Sequence, residues 1–550
     1  MSGWMDHLTI APIVLPLLAG AVMMLIDERR RTLKAVIGMA SALSLLALAV
    51  LALAVADSGV AGIRVYRLGN WPAHFGIVLV LDRFAALMLM LTGILGVAAL
   101  TFSLPRWQKA GAHFHPLFQF QLMGLNGAFL TGDLFNLFVF FEIMLAASYG
   151  LSLHGSGLAR VRAGLHYIAI NLSASLLFLI GVSMIYGISG TLNMADLAGR
   201  VAGLAAEDRG LLEAGAAILG LAFLIKAGMW PLGFWLPNTY STLGPASAAI
   251  VSILSKVGIY AVLRLWLLLF GDGAGESSGF GGTVLLVGGL LTVGFGSIAV
   301  LATQNMARLA GACVLVSSGT LLAAIGAGQV PVTGGALFYL TSSVLAVAGF
   351  FLLIELVERG RGVGADVLAV TREAFGEGDD EDADDGGGGG GAGVPIPATM
   401  AILGIGFLSS ALLLAGLPPL SGFLAKFAIL SPLLAAGPQV PITTWVLMAA
   451  LVLSGLATVV AMTRVGLDVF WASPAAEVPR VRVAEIAPVL LLLSLNLALT
   501  IQAGPAMRYM EDTARSLHVP RDYNGAVLSG IPTAGPTAGP TVGPAAGGVR

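Results

Sequence analysis

Charged side chains are scarce in this 550-residue chain. Asp, Glu, Lys and Arg together make up 11% of the residues, whereas 57% are hydrophobic. A typical soluble domain carries roughly a quarter of charged residues. Because such a chain has too little polar material to cover its own surface, the composition excludes a soluble globular protein.

Cysteine is almost absent, and neither sign of charge prevails. The single thiol, Cys313, excludes a disulfide framework and a cysteine-based metal site. The net charge of -2 gives no sign of a nucleic-acid partner. The sequence holds no Walker motif, dinucleotide fingerprint or Ser/His/Asp set, so it predicts no cofactor and no catalysis on a soluble substrate.

Long apolar runs are abundant instead. A helix needs about 20 apolar residues to cross the hydrocarbon core of a bilayer. Read with that length, the sequence predicts an all-α polytopic membrane protein of about 14 transmembrane helices. The predicted spans are 8–26, 34–56, 78–103, 113–131, 132–153, 164–188, 211–236, 245–270, 283–303, 308–328, 333–357, 397–435, 442–466 and 484–503.

The distribution of basic residues predicts the orientation. Most Lys and Arg outside the spans fall in the loops that follow odd-numbered spans, and basic loops stay in the cytoplasm. We therefore expect these loops inside and both termini outside a bacterial inner membrane. Two stretches are expected to be disordered: the loop 373–394, with its acidic and glycine-rich run, and the tail 504–550.

Four charged residues interrupt the apolar runs near mid-span: Glu142, Lys226, Lys256 and Lys426. A charge at the bilayer centre costs about 2.5–3.5 kcal/mol on insertion scales, so it is retained mainly where it faces protein or water. The functional interpretation is a proton relay; the alternative is a buried Glu142–Lys226 ion pair that only fixes packing. Arg264 lies toward the end of its span and is expected to reach the membrane interface.

Proline placement predicts two broken helices. The seventh span should break at Pro231 and Pro237, just after Lys226, and the twelfth at Pro418 and Pro419, just before Lys426. Two broken spans five helices apart are typical of an inverted repeat. The predicted organisation is helices 1–3 in 1–112, a first five-helix repeat in 113–270, a second in 283–470, and helix 14 in 484–503.

Three runs resemble a known family. The run from Thr131 to Glu142 (TGDLFNLFVFFE) is similar to the fifth-helix motif of the D-type subunit of Mrp-type multisubunit cation/proton antiporters. The run 226–238 (KAGMWPLGFWLPN), continued at 245–256 (PASAAIVSILSK), resembles that family's seventh and eighth helices, and the run 416–426 (GLPPLSGFLAK) resembles its twelfth. The superfamily includes the antiporter-like subunits of respiratory complex I and of membrane-bound hydrogenases.

The resemblance implies a fold, partners and residue roles. It implies two inverted five-helix bundles, other membrane subunits in a complex, and exchange of sodium or another monovalent cation for protons. Carried over by position, Glu142 and Lys226 would be an ion-paired proton-handling couple, Lys256 the central relay and Lys426 the terminal one.

One departure from the family's pattern bears on that relay. Many relatives have a histidine or lysine in the eleventh helix, where this chain has Thr341 and Ser342. Hydroxyls hold water but do not change charge near neutral pH. The link from Lys256 to Lys426 would then run through ordered water on these hydroxyls, or this half would not conduct.

Other interpretations stay open at this point. His166 on the sixth helix could accept protons near neutral pH, or serve packing through a hydrogen bond. The chain could be a proton-pumping subunit of a redox enzyme, which would copurify with flavin or iron–sulfur subunits. It could also be a scaffold that has lost conduction.

Overall fold

The computed structural model describes residues 7–58, 62–73, 76–359, 397–435, 439–470 and 479–529. The predicted acidic loop 373–394 lies outside these residues, as does the last part of the predicted disordered tail.

Within the described ranges the chain is mainly helical, with one small two-stranded sheet. Eleven helices are long and apolar enough to cross a membrane, and three shorter apolar helices accompany them. The predicted class of helical polytopic membrane protein is confirmed, whereas the number of fourteen spans and the inverted repeat stay predictions. The helices are α1 Ala11–Leu25, α2 Arg31–Ala56, α3 Arg83–Ser103, α4 Phe114–Leu130, α5 Leu134–Leu153, α6 Leu158–Ser189, α7 Met194–Val201, α8 Ala206–Ala227, α9 Trp235–Thr242, α10 Pro245–Val251, α11 Leu254–Phe270, α12 Gly282–Ala302, α13 Met306–Gly326, α14 Val330–Glu358, α15 Pro397–Ala415, α16 Ser421–Leu434, α17 Ile442–Phe470, α18 Val483–Ile501, α19 Ala503–His518 and α20 Arg521–Leu528.

The centre of the bundle lies around α13 and α14. Their most apolar stretches are 94% and 100% buried, whereas the corresponding stretches of α2 and α18 are 33% and 28% buried. A helix that is apolar all round and fully covered belongs to the interior, and one that is apolar and open faces lipid or another subunit. Polar side chains on α13 and α14 are therefore enclosed by protein.

The seventh predicted span is broken, although at only one of the two predicted prolines. Helix α8 ends at Ala227, Gly228 adopts a left-handed φ of 79°, and the chain resumes as helix at Trp235. Pro231 lies in this gap, as expected. Pro237 was wrongly predicted as a break: it lies in the first turn of α9, where a backbone N–H has no partner within the helix to lose.

The twelfth predicted span is broken as expected. Helix α15 ends at Ala415, Gly416 follows with a φ of 73°, and α16 begins at Ser421, so that Pro418 and Pro419 lie between the two helices.

A further interruption, which was not predicted, divides the eighth span between α10 and α11. Its residues, 252 and 253, include no proline or glycine. The Ser252 hydroxyl donates to the Ala249 carbonyl at 2.7 Å and so competes with the helix for a backbone acceptor.

The start of the third predicted span is not helical. Strand β2 (Val78–Leu81) pairs antiparallel with β1 (Arg64–Arg67), and Asp82 then caps α3 by accepting from the Ala85 N–H at 2.9 Å. Alternating valine and leucine suit a strand that is buried on both faces. The class is therefore helical with one short hairpin, rather than purely α.

The tail was wrongly predicted to be disordered from residue 504. It continues as α19 and α20 up to Leu528. In α19 the apolar residues Met510, Ala514 and Leu517 recur at helical spacing and are buried, and this helix packs on α14. The segment is charged overall, which hid its amphipathic pattern from an argument based on composition.

Candidate functional site

The four mid-span charges lie on four different helices. Glu142 is on α5, Lys226 on α8, Lys256 on α11 and Lys426 on α16. Lys256 and Lys426 are buried, with 2% and 8% exposure, whereas Glu142 and Lys226 are half-buried. We call these four residues the charged row.

Glu142 is fixed by a serine of the neighbouring helix. The Ser175 hydroxyl of α6 donates to the Glu142 carboxylate and also lies 3.0 Å from the Asn171 carbonyl oxygen. This hydrogen bond fixes the orientation of the carboxylate and links α5 to α6. Ser175 was not singled out from the sequence, because a serine inside a span is ordinarily bonded to its own helix.

Lys226 and Glu142 do not form the direct ion pair that the family resemblance implied. In the described residues the Lys226 ammonium lies over the ring of Phe141, 5.1 Å from its centroid, while Glu142 bonds to Ser175. An aromatic ring is thus the immediate neighbour of the ammonium, where a carboxylate was expected.

A glycine allows a close backbone contact between α8, which carries Lys226, and α11, which carries Lys256. A Cβ atom at Gly258 of α11 would lie 2.8 Å from the Ala227 nitrogen and 3.2 Å from the Lys226 carbonyl carbon. Because such a close contact to a backbone atom would require the helices to move apart, Gly258 sets the close approach of α8 and α11. This approach lies beside Lys226 and Lys256.

Lys256 has a hydroxyl partner on the central helix α13. Its Nζ donates to the Ser318 Oγ at 3.3 Å, and among the described residues no carboxylate forms an ion pair with it. A buried ammonium without a fixed counter-ion is costly. Its retention at this depth suits a group whose charge changes during function.

Four further serines of α13, α14 and α16 form two contacting pairs, one of which includes Ser317, the neighbour of Ser318 in the chain. The Ser317 hydroxyl donates to the Ser343 hydroxyl at 3.0 Å. Both line a small cavity of about 10 Å³, together with Ser342, which is close to the room that one water molecule needs. Ser342 then lies 2.8 Å from the Ser421 hydroxyl at the start of α16. We call the five residues Ser317, Ser318, Ser342, Ser343 and Ser421 the serine bridge.

Asn496 of α18 joins the end of the serine bridge. Its Oδ1 accepts from Ser342 at 3.2 Å and from Ser421 at 3.1 Å, and its Nδ2 donates to the Leu492 carbonyl at 3.2 Å. Because the amide is held by its own helix, it presents a fixed acceptor to both hydroxyls. The three side chains are almost completely buried.

Lys426 reaches back to the break that precedes its helix. Its Nζ donates to the Ala415 carbonyl at 2.8 Å and lies 3.4 Å from the Leu451 carbonyl. Ala415 ends α15, where carbonyl groups have no partner within the helix. The break thus supplies a freed backbone acceptor to the lysine that follows it.

The other three predicted residues, Thr341, Ser342 and His166, do not lie together in the structure. Ser342 belongs to the serine bridge, whereas the Thr341 hydroxyl donates to the Leu337 carbonyl of its own helix at 3.0 Å. His166 is exposed on the outer face of α6, with Nδ1 2.9 Å from the Arg162 carbonyl oxygen. His166 is therefore not part of the charged row.

Arg264, expected to reach the membrane interface from its place near the end of the span, is buried and bonded to protein groups. It forms a buried ion pair with Asp82, with one contact of 2.7 Å, and donates to the Tyr260 hydroxyl at 3.0 Å. The ring of Tyr523, from the C-terminal helix α20, covers the guanidinium at 5.2 Å. This cluster lies on α11 two turns beyond Lys256, and the carboxylate neutralises the arginine charge.

Ser342 was singled out from the sequence, whereas the other four members of the serine bridge and Asn496 were not. Their residue types were visible, but hydroxyls and amides occur in many spans. A helical-face analysis would have placed Ser317, Ser318, Ser342 and Ser343 in two adjacent pairs. Only the packing of α13 against α14 brings the pairs together.

The sequence matches a family model and two relatives of known class. The model, described as the transmembrane region of NADH:quinone oxidoreductase and Mrp antiporter proteins, matches residues 131–372. The D-type subunit of a probable K(+)/H(+) antiporter from Rhizobium meliloti is 58% identical over 97% of this chain and 100% of its own length. The D-type subunit of the Na(+)/H(+) antiporter from Alkalihalophilus pseudofirmus is 34% identical, with 95% of this chain and 100% of that protein covered.

A solved structure agrees with these relatives. One chain of the Mrp complex from Dietzia sp. superposes with a TM-score of 0.78 at 26% identity, covering 96% of this chain and 100% of its own. The likeness spans the charged row and the helices on either side of it.

Proposed function

We propose, from the premise that this chain belongs to the family of D-type subunits of Mrp-type multisubunit cation/proton antiporters, that it is the proton-translocating subunit of such a complex. The complex would exchange protons for a monovalent cation. The names of the relatives point to sodium in one case and to potassium in the other. The chain is thus a transporter subunit that works with other membrane subunits in the lipid bilayer.

Lys256 is the single observation that carries this proposal. It is buried at the centre of the bundle and bonds to a serine instead of a carboxylate. A buried lysine of this kind gains and loses its proton as neighbouring charges move. Lys256 lies where the Lys226 helix, α13 and the serine bridge meet, so it can pass a charge change in either direction.

The proposed route begins at Glu142 and Lys226 and ends at Lys426. In the first step, a proton that joins or leaves Glu142 changes the electrostatic free energy of the Lys226 ammonium; in the second, the charge of Lys226 acts in the same way on Lys256 across the α8–α11 contact. From Lys256 the serine bridge, with water in its small cavity, replaces the titratable residue that the eleventh helix lacks. Hydroxyl groups both donate and accept, so a row of them can carry a proton without holding a charge.

The proposed location is a bacterial inner membrane, with both termini outside. The excess of basic residues in the loops after odd-numbered spans supports this orientation. A cysteine placed in an outer or an inner loop and labelled from one side tests it.

Cation-dependent proton exchange in everted vesicles tests the function. Glu142→Ala, Lys226→Ala, Lys256→Ala and Lys426→Ala in the assembled complex are each expected to lower exchange at least about tenfold. Arg508→Ala, at an exposed position of α19, is the control and should retain exchange. Unchanged cation-dependent proton exchange by the four variants at normal expression would contradict the proposal.

Purification of the complex, together with the exchange assay, separates the remaining alternatives. The Mrp assignment predicts that only small membrane subunits and other antiporter subunits copurify. Flavin or iron–sulfur subunits would instead identify a redox-driven pump. A scaffold without conduction would show altered assembly and unaltered transport when Lys256 and Lys426 are neutralised.

A further inference from the structure

A cavity at one end of the bundle is separate from the charged row. It has a volume of about 330 Å³ and lies between the first turns of α6, helix α9 and the first turn of α13. Its polar lining includes Arg162, His166, Asn238, Ser241 and Arg308. His166, which the sequence offered either as a proton acceptor or as a packing residue, therefore lies in the wall of this cavity and away from the charged row.

The lining of this cavity is basic. Arg162 and Arg308 are both exposed, and within the described residues neither guanidinium forms an ion pair or a hydrogen bond. Among those residues, no carboxylate lines the cavity. Guanidinium groups match the geometry of phosphate oxygens and bind them through paired hydrogen bonds. Two such arginines around one concave space thus form a site for a phosphate group.

The cavity opens where lipid headgroups are expected. Helix α6 has 32 residues, so it is about 48 Å long, which exceeds the hydrocarbon thickness of about 30 Å. Arg162 lies in its second turn and so falls in the headgroup region. Beyond it, α6 exposes Leu165, Leu172 and Leu176 by 55%, 51% and 59%, and Phe234 in the cavity wall is 56% exposed.

We propose that this cavity binds the phosphodiester headgroup of an anionic phospholipid, with Arg162 and Arg308 on the phosphate and the acyl chains along the apolar face of α6. The loops on this side are the basic ones, which favours the leaflet that is rich in anionic lipid. Asn238 and Ser241 are placed to bond the polar part of the headgroup. The bound lipid would hold α9, the helix that follows the break after Lys226.

The test measures lipid bound to the purified complex. The complex is placed in nanodiscs of phosphatidylcholine with a minor share of phosphatidylglycerol, and retained phosphatidylglycerol is counted by native mass spectrometry. The double variant Arg162→Gln, Arg308→Gln is expected to lower retention at least about tenfold, since both charge-assisted contacts to the phosphate are lost. The matched control is Arg508→Gln with Arg521→Gln, two exposed arginines of the C-terminal helices.

A second variant protects the test against a folding defect. Asn238→Asp places a carboxylate at an exposed position in the cavity and is expected to lower retention while both arginines remain. Equal retention by the wild type and both cavity variants would overturn the proposal. So would equal binding of phosphatidylcholine, or loss of retention in the control.

Two further outcomes would assign the site to another occupant. Full displacement of the lipid by inorganic phosphate would show a site for a soluble anion. Loss of a copurifying subunit from the double variant, with lipid retention unchanged, would show an acidic protein partner. Either result rejects the lipid assignment and leaves the proposed proton relay unaffected, because neither Arg162 nor Arg308 belongs to the charged row.

Discussion

The ammonium of Lys256 donates to the hydroxyl of Ser318, 62 positions further along the chain, at 3.3 Å. This bond crosses from α11 to α13 and connects the charged row to the serine bridge. We therefore expect proton exchange to depend on this contact.

Removing the Ser318 hydroxyl should slow proton exchange. Ser318→Ala takes away the hydrogen-bond partner of Lys256 and the entry to the serine bridge, and loss of one such bond in a buried site costs about 1–3 kcal/mol. We expect exchange in vesicles to fall about tenfold, which corresponds to about 1.4 kcal/mol. Ser297→Ala is the control, because that hydroxyl bonds only to the Val293 carbonyl of its own helix; an equal loss in both variants would contradict the assignment.

Replacing Asn496 should disturb the other end of the serine bridge. Asn496→Leu keeps the branched shape at Cγ but removes the acceptor shared by Ser342 and Ser421. We expect a loss of about 1–3 kcal/mol in the free energy of unfolding, together with slower exchange. Asn496→Asp keeps an acceptor oxygen and should retain more exchange than Asn496→Leu. The opposite order in the vesicle assay would rule out a role for the acceptor.

Breaking the Asp82–Arg264 pair should destabilise the protein. Asp82→Asn leaves the buried Arg264 charge without its partner, a change that typically costs about 3–5 kcal/mol. The double variant Asp82→Leu, Arg264→Met removes both charges and should recover most of this loss. Thermal unfolding in detergent measures the difference. Asp57→Asn, which removes an exposed partner of Arg83, is the control and should cost about 1 kcal/mol or less.

The Glu28 cluster should make stability depend on pH. Burial alone would raise the pKa of Glu28, but its hydrogen bond from the buried Lys34, its contact with the His113 N–H and both positive charges outweigh burial and hold the pKa below its ordinary value of 4.5. The stabilisation is therefore complete above pH 4.5 and is lost as the pH falls through the lowered pKa.

The variant Glu28→Gln tests that dependence. At pH 7 it should unfold at a lower temperature than the wild type, because Lys34 loses its charged partner. As the pH falls through the lowered pKa of Glu28, the two curves should converge. Asp27→Asn, one residue earlier and exposed, should follow the wild type throughout; a constant difference between Glu28→Gln and the wild type at all pH values would contradict the account.

Some features follow from a single residue type whose placement carries a large free-energy cost, and these were predicted correctly. The mid-span charges were visible because a charge in an apolar run is costly wherever it points. The break before Lys426 was visible because proline cannot continue a helix. The interruption before Lys256 was not, since residues 252 and 253 include no proline or glycine and a serine hydroxyl bonded to its own helix is common in continuous helices as well.

Partners were harder to predict than positions. The sequence did not show the partner of Arg264, because the partner carboxylate, Asp82, is 182 positions away and belongs to a helix cap. Glu142 and Lys226 were expected to pair, whereas the lysine lies over a phenylalanine ring. The C-terminal helices were expected to be a disordered tail because their net polarity concealed an apolar stripe.

The sequence by itself determined that the chain is a helical membrane protein, where its buried charges lie along the helices, and which family it resembles. These properties depend on hydrophobic length, proline and charge, which act within a few turns of the chain. The tertiary structure alone decided which groups touch: Lys256 with Ser318, Asn496 with two serines, and two arginines around one basic cavity. Hydrogen bonds and ion pairs form over about 3 Å, and only the packing of helices far apart in sequence brings their atoms that close.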